Sequence, residues 1–111
     1  MTRYVLALDL VDQPDLIQEY EAYHRAIWPE IEESILSTGV HQMAIYRFAN
    51  RLMMLMDVAN DFSFEQKAAA DANNERVQEW EKLMWKYQVA LPGAKPGEKW
   101  VLMDKIFELR G

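Results

Sequence analysis

The chain of 111 residues contains no cysteine, which excludes disulfides, thiolate metal sites and cysteine nucleophiles together. It is also short of positive charge: 12 Lys and Arg against 18 Asp and Glu leave a formal net charge of -6. No basic surface is available for a phosphate backbone or anionic lipid, so neither nucleic acid nor a membrane is an expected partner. No apolar run approaches the roughly 20 residues of a membrane span. The N-terminal stretch MTRYVLALDLVDQ is interrupted by Asp9 and Asp12 and is followed by no small-residue cleavage site, so a soluble, cytoplasmic protein is expected. The two histidines, His24 and His41, lie far apart, and no metal-binding spacing, glycine-rich phosphate loop or serine nucleophile elbow is present. With metal and cofactor motifs missing, general acid-base work by His, Tyr and carboxylates is the chemistry left.

What is present is globular. Half the residues are hydrophobic and 27% are charged, without repeats or low-complexity segments, in a length that suits one domain over residues 1–111. Arg3 to Leu10 alternates as a strand, with Tyr4, Leu6, Leu8 and Leu10 on one face and Val5, Ala7 and Asp9 on the other. Pro14 suits the first turn of a helix, along which Glu21 and Arg25 are spaced for an exposed pair. Trp28-Pro29 marks a kink or a second helical segment ending near Ser37, and Gly39 supplies the stop. His41 to Phe48 and Arg51 to Val58 read as strands joined by Ala49-Asn50 in an antiparallel hairpin. Asp61 or Ser63 caps the next helix, Asn73-Asn74 breaks it, and Val77, Trp80, Met84 and Tyr87 carry helical spacing on to about Gln88. The loop Leu91 to Lys99 holds two Pro-Gly pairs, and Trp100 to Leu109 reads as a closing strand.

The order is that of an α+β, ferredoxin-like β-α-β-β-α-β fold: a four-stranded antiparallel sheet with helices on one face. The third strand is apolar on both faces, so its uncovered face calls for a partner, and a homodimer is the simplest cover.

The stretch Ile17 to Ile31, IQEYEAYHRAIWPEI, concentrates the chemistry. Ile17, Tyr20, His24, Ile27 and Ile31 fall on one inward stripe of a helix. A histidine there is more often a satisfied core residue than a catalyst. Tyr20, one turn away on the same face, is what favours a shared ligand, and an imidazole in that setting titrates near neutral pH. Trp28, Trp80, Trp85 and Trp100 read first as core, and Trp28 as an anchor of the kink, although aromatic faces also stack on sugar rings. Trp80 beside Glu81 offers a stacking surface together with a polar group. His41 reads as an exposed or interface residue, and Asp9 either as exposed or as pointing into a pocket.

At YEAYHRAIWPE, Tyr20 to Glu30, the chain resembles the L-rhamnose mutarotase family, whose pattern is a tyrosine, a histidine four residues on, and then I-W-P-E. GVHQMAIYRF (Gly39 to Phe48), VQEWEKLM (Val77 to Met84) and Lys105 to Leu109 are similar to further segments of that family, so the resemblance covers nearly the whole chain. It implies a dimeric α/β barrel type of ferredoxin-like fold and an isomerase that interconverts the α and β anomers of a monosaccharide without a cofactor or metal. The family's acid-base histidine maps onto His24, its sugar-contacting tyrosine onto Tyr20, and the first tryptophan of its substrate-binding pair onto Trp80. Two positions depart from the pattern: Met43 stands where the rhamnose enzymes typically have a second tyrosine, and Glu81 where they have the second tryptophan. Both changes bear on which sugar hydroxyls find partners, which makes L-fucose a rival to L-rhamnose.

Ring opening needs one proton taken from the anomeric hydroxyl and one given to the ring oxygen. His24 is expected to carry one transfer, with Tyr20, Glu81 or a held water for the other. Two readings from other classes share the fold: a small cofactor-free oxygenase or isomerase, and a non-catalytic ligand-binding dimer.

Overall fold

A computed structural model of the chain describes residues 1–110. The elements run β1 (Thr2–Leu10), α1 (Pro14–Arg25), α2 (Pro29–Ser37), β2 (Val40–Phe48), β3 (Arg51–Val58), α3 (Phe64–Ala72), α4 (Glu75–Met84), β4 (Gln88–Val89) and β5 (Val101–Leu102). The sheet is antiparallel, in the order β2-β3-β1, with β4 and β5 both on the remaining edge of β1. This is the expected mixed α+β, ferredoxin-like arrangement with one difference at that edge. No helix among the described residues is long and apolar enough to cross a membrane.

Local signals account for most of these boundaries. Pro14 and Pro29 each occupy a first helical turn, where the missing N–H has no intrahelical partner to lose. Trp28-Pro29 therefore separates two helices rather than kinking one. Gly39, at φ +97°, ends α2 in the left-handed region. Of the two residues able to cap α3, Ser63 does so, its Oγ accepting from the Gln66 N–H at 3.3 Å. Asn74 caps α4, its Oδ1 accepting from the N–H groups of Arg76 and Val77 at 3.1 and 3.2 Å, so the Asn-Asn break is also a helix start. The hairpin turns at Ala49-Asn50 as expected, with Ala49 at φ +53° and Phe48 opposite Arg51.

Three expectations change. Glu21 does not pair along its helix with Arg25 but reaches Arg47 on β2 at 3.2 Å. The last helix stops at Met84 instead of continuing to about Gln88, because Gln88 and Val89 are drawn onto β1 opposite Leu10 and Asp9. The closing strand shrinks to Val101–Leu102, opposite Ala7 and Leu6, with one further bond from the Met103 N–H to the Val5 carbonyl at 2.8 Å. Beyond it Ile106, Phe107 and Leu109 stand in solvent, 95%, 75% and 82% exposed, because the single chain offers that segment no strand to pair with.

Leu6, Leu8, Leu10, Leu52, Met54, Met56 and Val58 alternate onto the helix-covered face and are buried. Tyr20 from α1, Ile31 from α2, and Val77, Trp80 and Met84 from α4 close over part of them. The other face carries Val5, Ala7, Met53, Leu55, Ala44, Tyr46 and Phe48, bounded by two cross-strand ion pairs. In one, Arg3 grips Asp57 at 2.8 and 3.0 Å; in the other, Arg51 grips Asp9 at 2.8 and 3.1 Å. Asp9 thus sits on the open face with a partner and does not enter a pocket.

Candidate functional site

On the covered face the helices do not meet the sheet everywhere. A cavity of about 610 Å³ opens between them. Its floor is the sheet side chains Leu6, Met43, Ile45, Met54 and Met56. Its walls are Tyr20 and His24 from α1, Ile31 and Ile35 from α2, Lys67 and Asp71 from α3, and Trp80, Glu81 and Met84 from α4. Gln88 from β4, and Gly97, Lys99 and Trp100 at the end of the Pro-Gly loop, complete the lining. All three residues singled out from the sequence, Tyr20, His24 and Trp80, face this one space. His41 is exposed and lies outside this lining, bordering an adjoining groove of about 430 Å³ between α2 and β2 that shares His24, Ile35 and Met43 with the cavity.

His24 is held on three sides. Its ring lies 4.3 Å from the Tyr20 ring and 5.5 Å, edge to face, from that of Trp80. Its Nδ1 sits 2.9 Å from the Tyr20 backbone carbonyl oxygen, which can only accept, so Nδ1 carries the proton and Nε2 is left for a ligand. Burial lowers the His24 pKa from its ordinary value, with the bond to the Tyr20 carbonyl opposing. Near pH 7 the imidazole is therefore neutral, with an acceptor lone pair on Nε2: the state of a base.

Tyr20 is 3% exposed, and burial pushes its hydroxyl up to about 12, while a hydrogen bond from Gln88 pulls it part of the way back. A phenol so reluctant to ionise is a hydrogen-bond donor near neutral pH, not a proton shuttle. Trp80 is braced by Trp28, with ring centroids 5.1 Å apart, and Trp28 in turn lies under the Arg76 guanidinium at 3.8 Å. Arg76 also contacts Glu30 and Glu79, at 3.5 and 2.9 Å, so it ties α2 to α4 behind the site. Trp28 accordingly anchors the helix break, as its sequence context indicates.

The remaining polar lining escaped sequence reasoning. Lys67 pairs with Asp71 at 2.8 Å one turn apart on α3, with both side chains largely buried, yet Asp71 Oδ1 has no hydrogen-bond partner. Gln88 Oε1 has none either. A buried acceptor without a donor costs about 1–3 kcal/mol, so two in one cavity mark where a hydroxyl-bearing ligand would be welcomed. Lys99 lies 3.9 Å over the Trp85 ring and donates to the Glu81 backbone carbonyl at 3.2 Å, which brings the Pro-Gly loop to the cavity's rim. Burial lowers its pKa, opposed by the charge of Glu81. Among the described residues no three His, Cys, Asp or Glu side chains gather as metal ligands would. Chemically, the space offers a neutral imidazole, an apolar aromatic wall and a set of donors and unpartnered acceptors.

Comparison with known proteins gives three consistent findings. Residues 3–109 match the family model described as L-rhamnose mutarotase. The L-fucose mutarotase of Xanthomonas campestris pv. campestris is 46% identical over 111 residues, covering 98% of this chain and 89% of that one, and the L-rhamnose mutarotase of Escherichia coli is 35% identical over 83 residues, covering 75% and 74%. The crystal structure of an L-rhamnose mutarotase from Formosa agariphila superposes with a TM-score of 0.72 at 21% identity, over 99% of this chain and all of that one, which speaks for the shared fold.

Proposed function

The chain belongs to the L-rhamnose mutarotase family, and from that premise we propose that it is an isomerase interconverting the α and β anomers of a 6-deoxy-L-hexose, with L-fucose as its sugar. The observation that carries the chemistry is the His24 imidazole, neutral and tied through Nδ1 to the Tyr20 carbonyl, with Nε2 left for a ligand in a cavity walled by Trp80. Identity favours L-fucose, since the fucose enzyme matches at 46% over nearly the whole chain and the rhamnose enzyme at 35% over three quarters of it. Met43 and Glu81, where this chain departs from the rhamnose pattern, both line the cavity, where a changed set of partners alters which hydroxyls are satisfied.

His24 Nε2 takes the proton of the anomeric hydroxyl as the bond between the anomeric carbon and the ring oxygen breaks. The leaving ring oxygen needs a proton in return. Both oxygens are bonded to the same carbon, so the new imidazolium serves the second from nearly the same position and the proton count closes on one residue. Rotation of the open-chain aldehyde exposes its other face, and closure by the reverse transfers gives the other anomer. Tyr20 binds as a donor. Trp80 supplies the apolar face against which the C–H side of the sugar packs. General acid-base assistance of this kind contributes typically ~10²–10⁴-fold.

Two observations support a homodimer. The open sheet face has an apolar centre at Val5, Ala7, Met53 and Leu55, and the segment after β5 exposes Ile106, Phe107 and Leu109 with no partner of its own. Each large apolar side chain removed from water contributes roughly 1.5–3 kcal/mol, and a second copy offers both surfaces the same cover.

Polarimetry of freshly dissolved L-fucose, L-rhamnose and D-glucose tests the function. Catalysed relaxation is expected to be fastest for L-fucose and marginal for D-glucose; relaxation at the buffer rate for both 6-deoxy sugars would remove the proposal.

A further inference from the structure

We infer that Gln88 is a specificity-determining residue: its carboxamide and the Tyr20 hydroxyl together read one sugar hydroxyl, and that hydroxyl is not the anomeric one. The inference rests on the sugar-isomerase reading above. Gln88 is 8% exposed, lines the same cavity as His24, and among the described residues is the one polar residue in the buried core. Its backbone is fixed by the short β4 pairing opposite Leu10, so the side chain is delivered by the sheet and not by a mobile loop.

The two ends of the carboxamide have different fates. Oε1 is left without a partner, while the N–H end, the only one able to ease ionisation of a phenol, lies toward the Tyr20 oxygen and lowers its pKa. A phenol oxygen turned toward that N–H keeps its own O–H to donate elsewhere. Tyr20 and Gln88 therefore present an unused donor beside an unused acceptor. A ring oxygen can only accept and an apolar group can do neither. A hydroxyl does both, receiving from Tyr20 and giving to Oε1. Oε1 is sealed from water in the ligand-free chain, but the terminal torsion of glutamine is broad, so turning it toward a ligand is easy.

The reaction itself selects which hydroxyl. The anomeric oxygen changes position between the α and β forms, and an isomerase has to accept both. A buried pair fixed by a helix and a strand would hold one anomer and penalise the other. The 2-, 3- and 4-hydroxyls keep their configuration throughout, so the pair grips one of these while the anomeric carbon is free to turn over at His24.

The test measures anomer exchange by wild type, Gln88→Met and Tyr20→Phe on L-fucose and on its 2-, 3- and 4-deoxy analogues. With L-fucose, Gln88→Met is expected to lower kcat/KM about 10- to 100-fold, the loss expected when one partner of a buried hydrogen bond is removed. For one deoxy sugar, the one lacking the hydroxyl that is read, the same substitution should change kcat/KM by no more than about twofold, and Tyr20→Phe should go silent on that same sugar. A structural defect would instead penalise all four sugars alike. Should Gln88→Met fail to fold, Tyr20→Phe identifies the hydroxyl alone, and Gln88→Glu, which keeps an acceptor but loses the N–H, should retain discrimination against the same deoxy sugar. Equal penalties on every deoxy analogue, or none on L-fucose, would overturn the inference while leaving the isomerase reading intact. Absence of wild-type exchange on both L-fucose and L-rhamnose would overturn both.

Discussion

The two faces of the sheet are unfinished in opposite ways. On the open face the charged groups of β1 and β3 have found partners, Arg3 with Asp57 and Arg51 with Asp9, while no layer covers the apolar side chains around them, and Met53, Tyr46 and Phe48 are exposed. On the covered face the apolar groups are largely buried, while polar atoms, Gln88 Oε1 and Asp71 Oδ1, lack partners and a neutral histidine waits beside them. Missing apolar cover is supplied most simply by another protein surface, and missing hydrogen bonds by a small polar ligand. One β-strand register sets up both: residues of even number along β1 and β3 look toward the cavity, and those of odd number look toward the expected partner.

This division can be broken one face at a time. The largest effect is expected from His24→Ala, which should lower the catalysed exchange by about 10²–10⁴-fold and leave the far-UV circular dichroism unchanged. Retained activity would remove the cavity's claim to the chemistry. Next, Leu55→Lys places a charge in the middle of the open face, and sedimentation at micromolar concentration should show a shift from dimer to monomer. An unchanged dimer would mean that the partner sits elsewhere.

A smaller effect concerns pH. Burial lowers the His24 pKa below the 6.5 of a free imidazole, so the base form persists to more acid pH than usual. The acid limb of kcat/KM, which reports the free enzyme, should therefore have its midpoint under 6.5, and an acid limb above it would contradict a buried neutral base. Stability follows the same sign: between 6.5 and the lowered folded value the unfolded chain holds the extra proton, so stability falls as pH falls through that window. Smallest of all, Ala49→Gly relieves a left-handed residue in the hairpin turn, far from the cavity. It should raise stability by about 0.5–1 kcal/mol in a urea titration, with activity untouched.

The two faces also differed in how far the sequence disclosed them. Alternation in RYVLALDL disclosed the faces of β1, and RLMMLMDV, apolar at nearly every position, disclosed that the sheet has a second face in need of cover. Helical spacing brought Tyr20 and His24 to one side of α1, and the Tyr-x-x-x-His-x-x-Ile-Trp-Pro-Glu run placed them in a family. Trp80 was singled out through the family's second helix, and the fold supplies the physical reason, since packing of α4 across α1 brings its ring to His24. Gln88 stayed hidden because helical periodicity ran through it, and what moved it was the unfilled edge of β1, a non-local pairing with no local signal. Lys67 and Asp71 look like any exposed i,i+4 pair; their burial comes from the other helices around the cavity. The closing strand failed for the opposite reason: Trp100 to Leu109 has strand character throughout, but among the described residues of one chain its pairing with β1 ends at Met103.

The central claim is that the cavity around His24 exchanges anomers of a 6-deoxy-L-hexose. Saturation-transfer NMR on L-fucose at equilibrium examines it most directly: irradiating the anomeric proton of the β form should attenuate that of the α form when catalytic wild-type protein is present, and should do so no more than buffer does with His24→Ala. Transfer at the buffer rate with wild type, or equal transfer with both proteins, would contradict it.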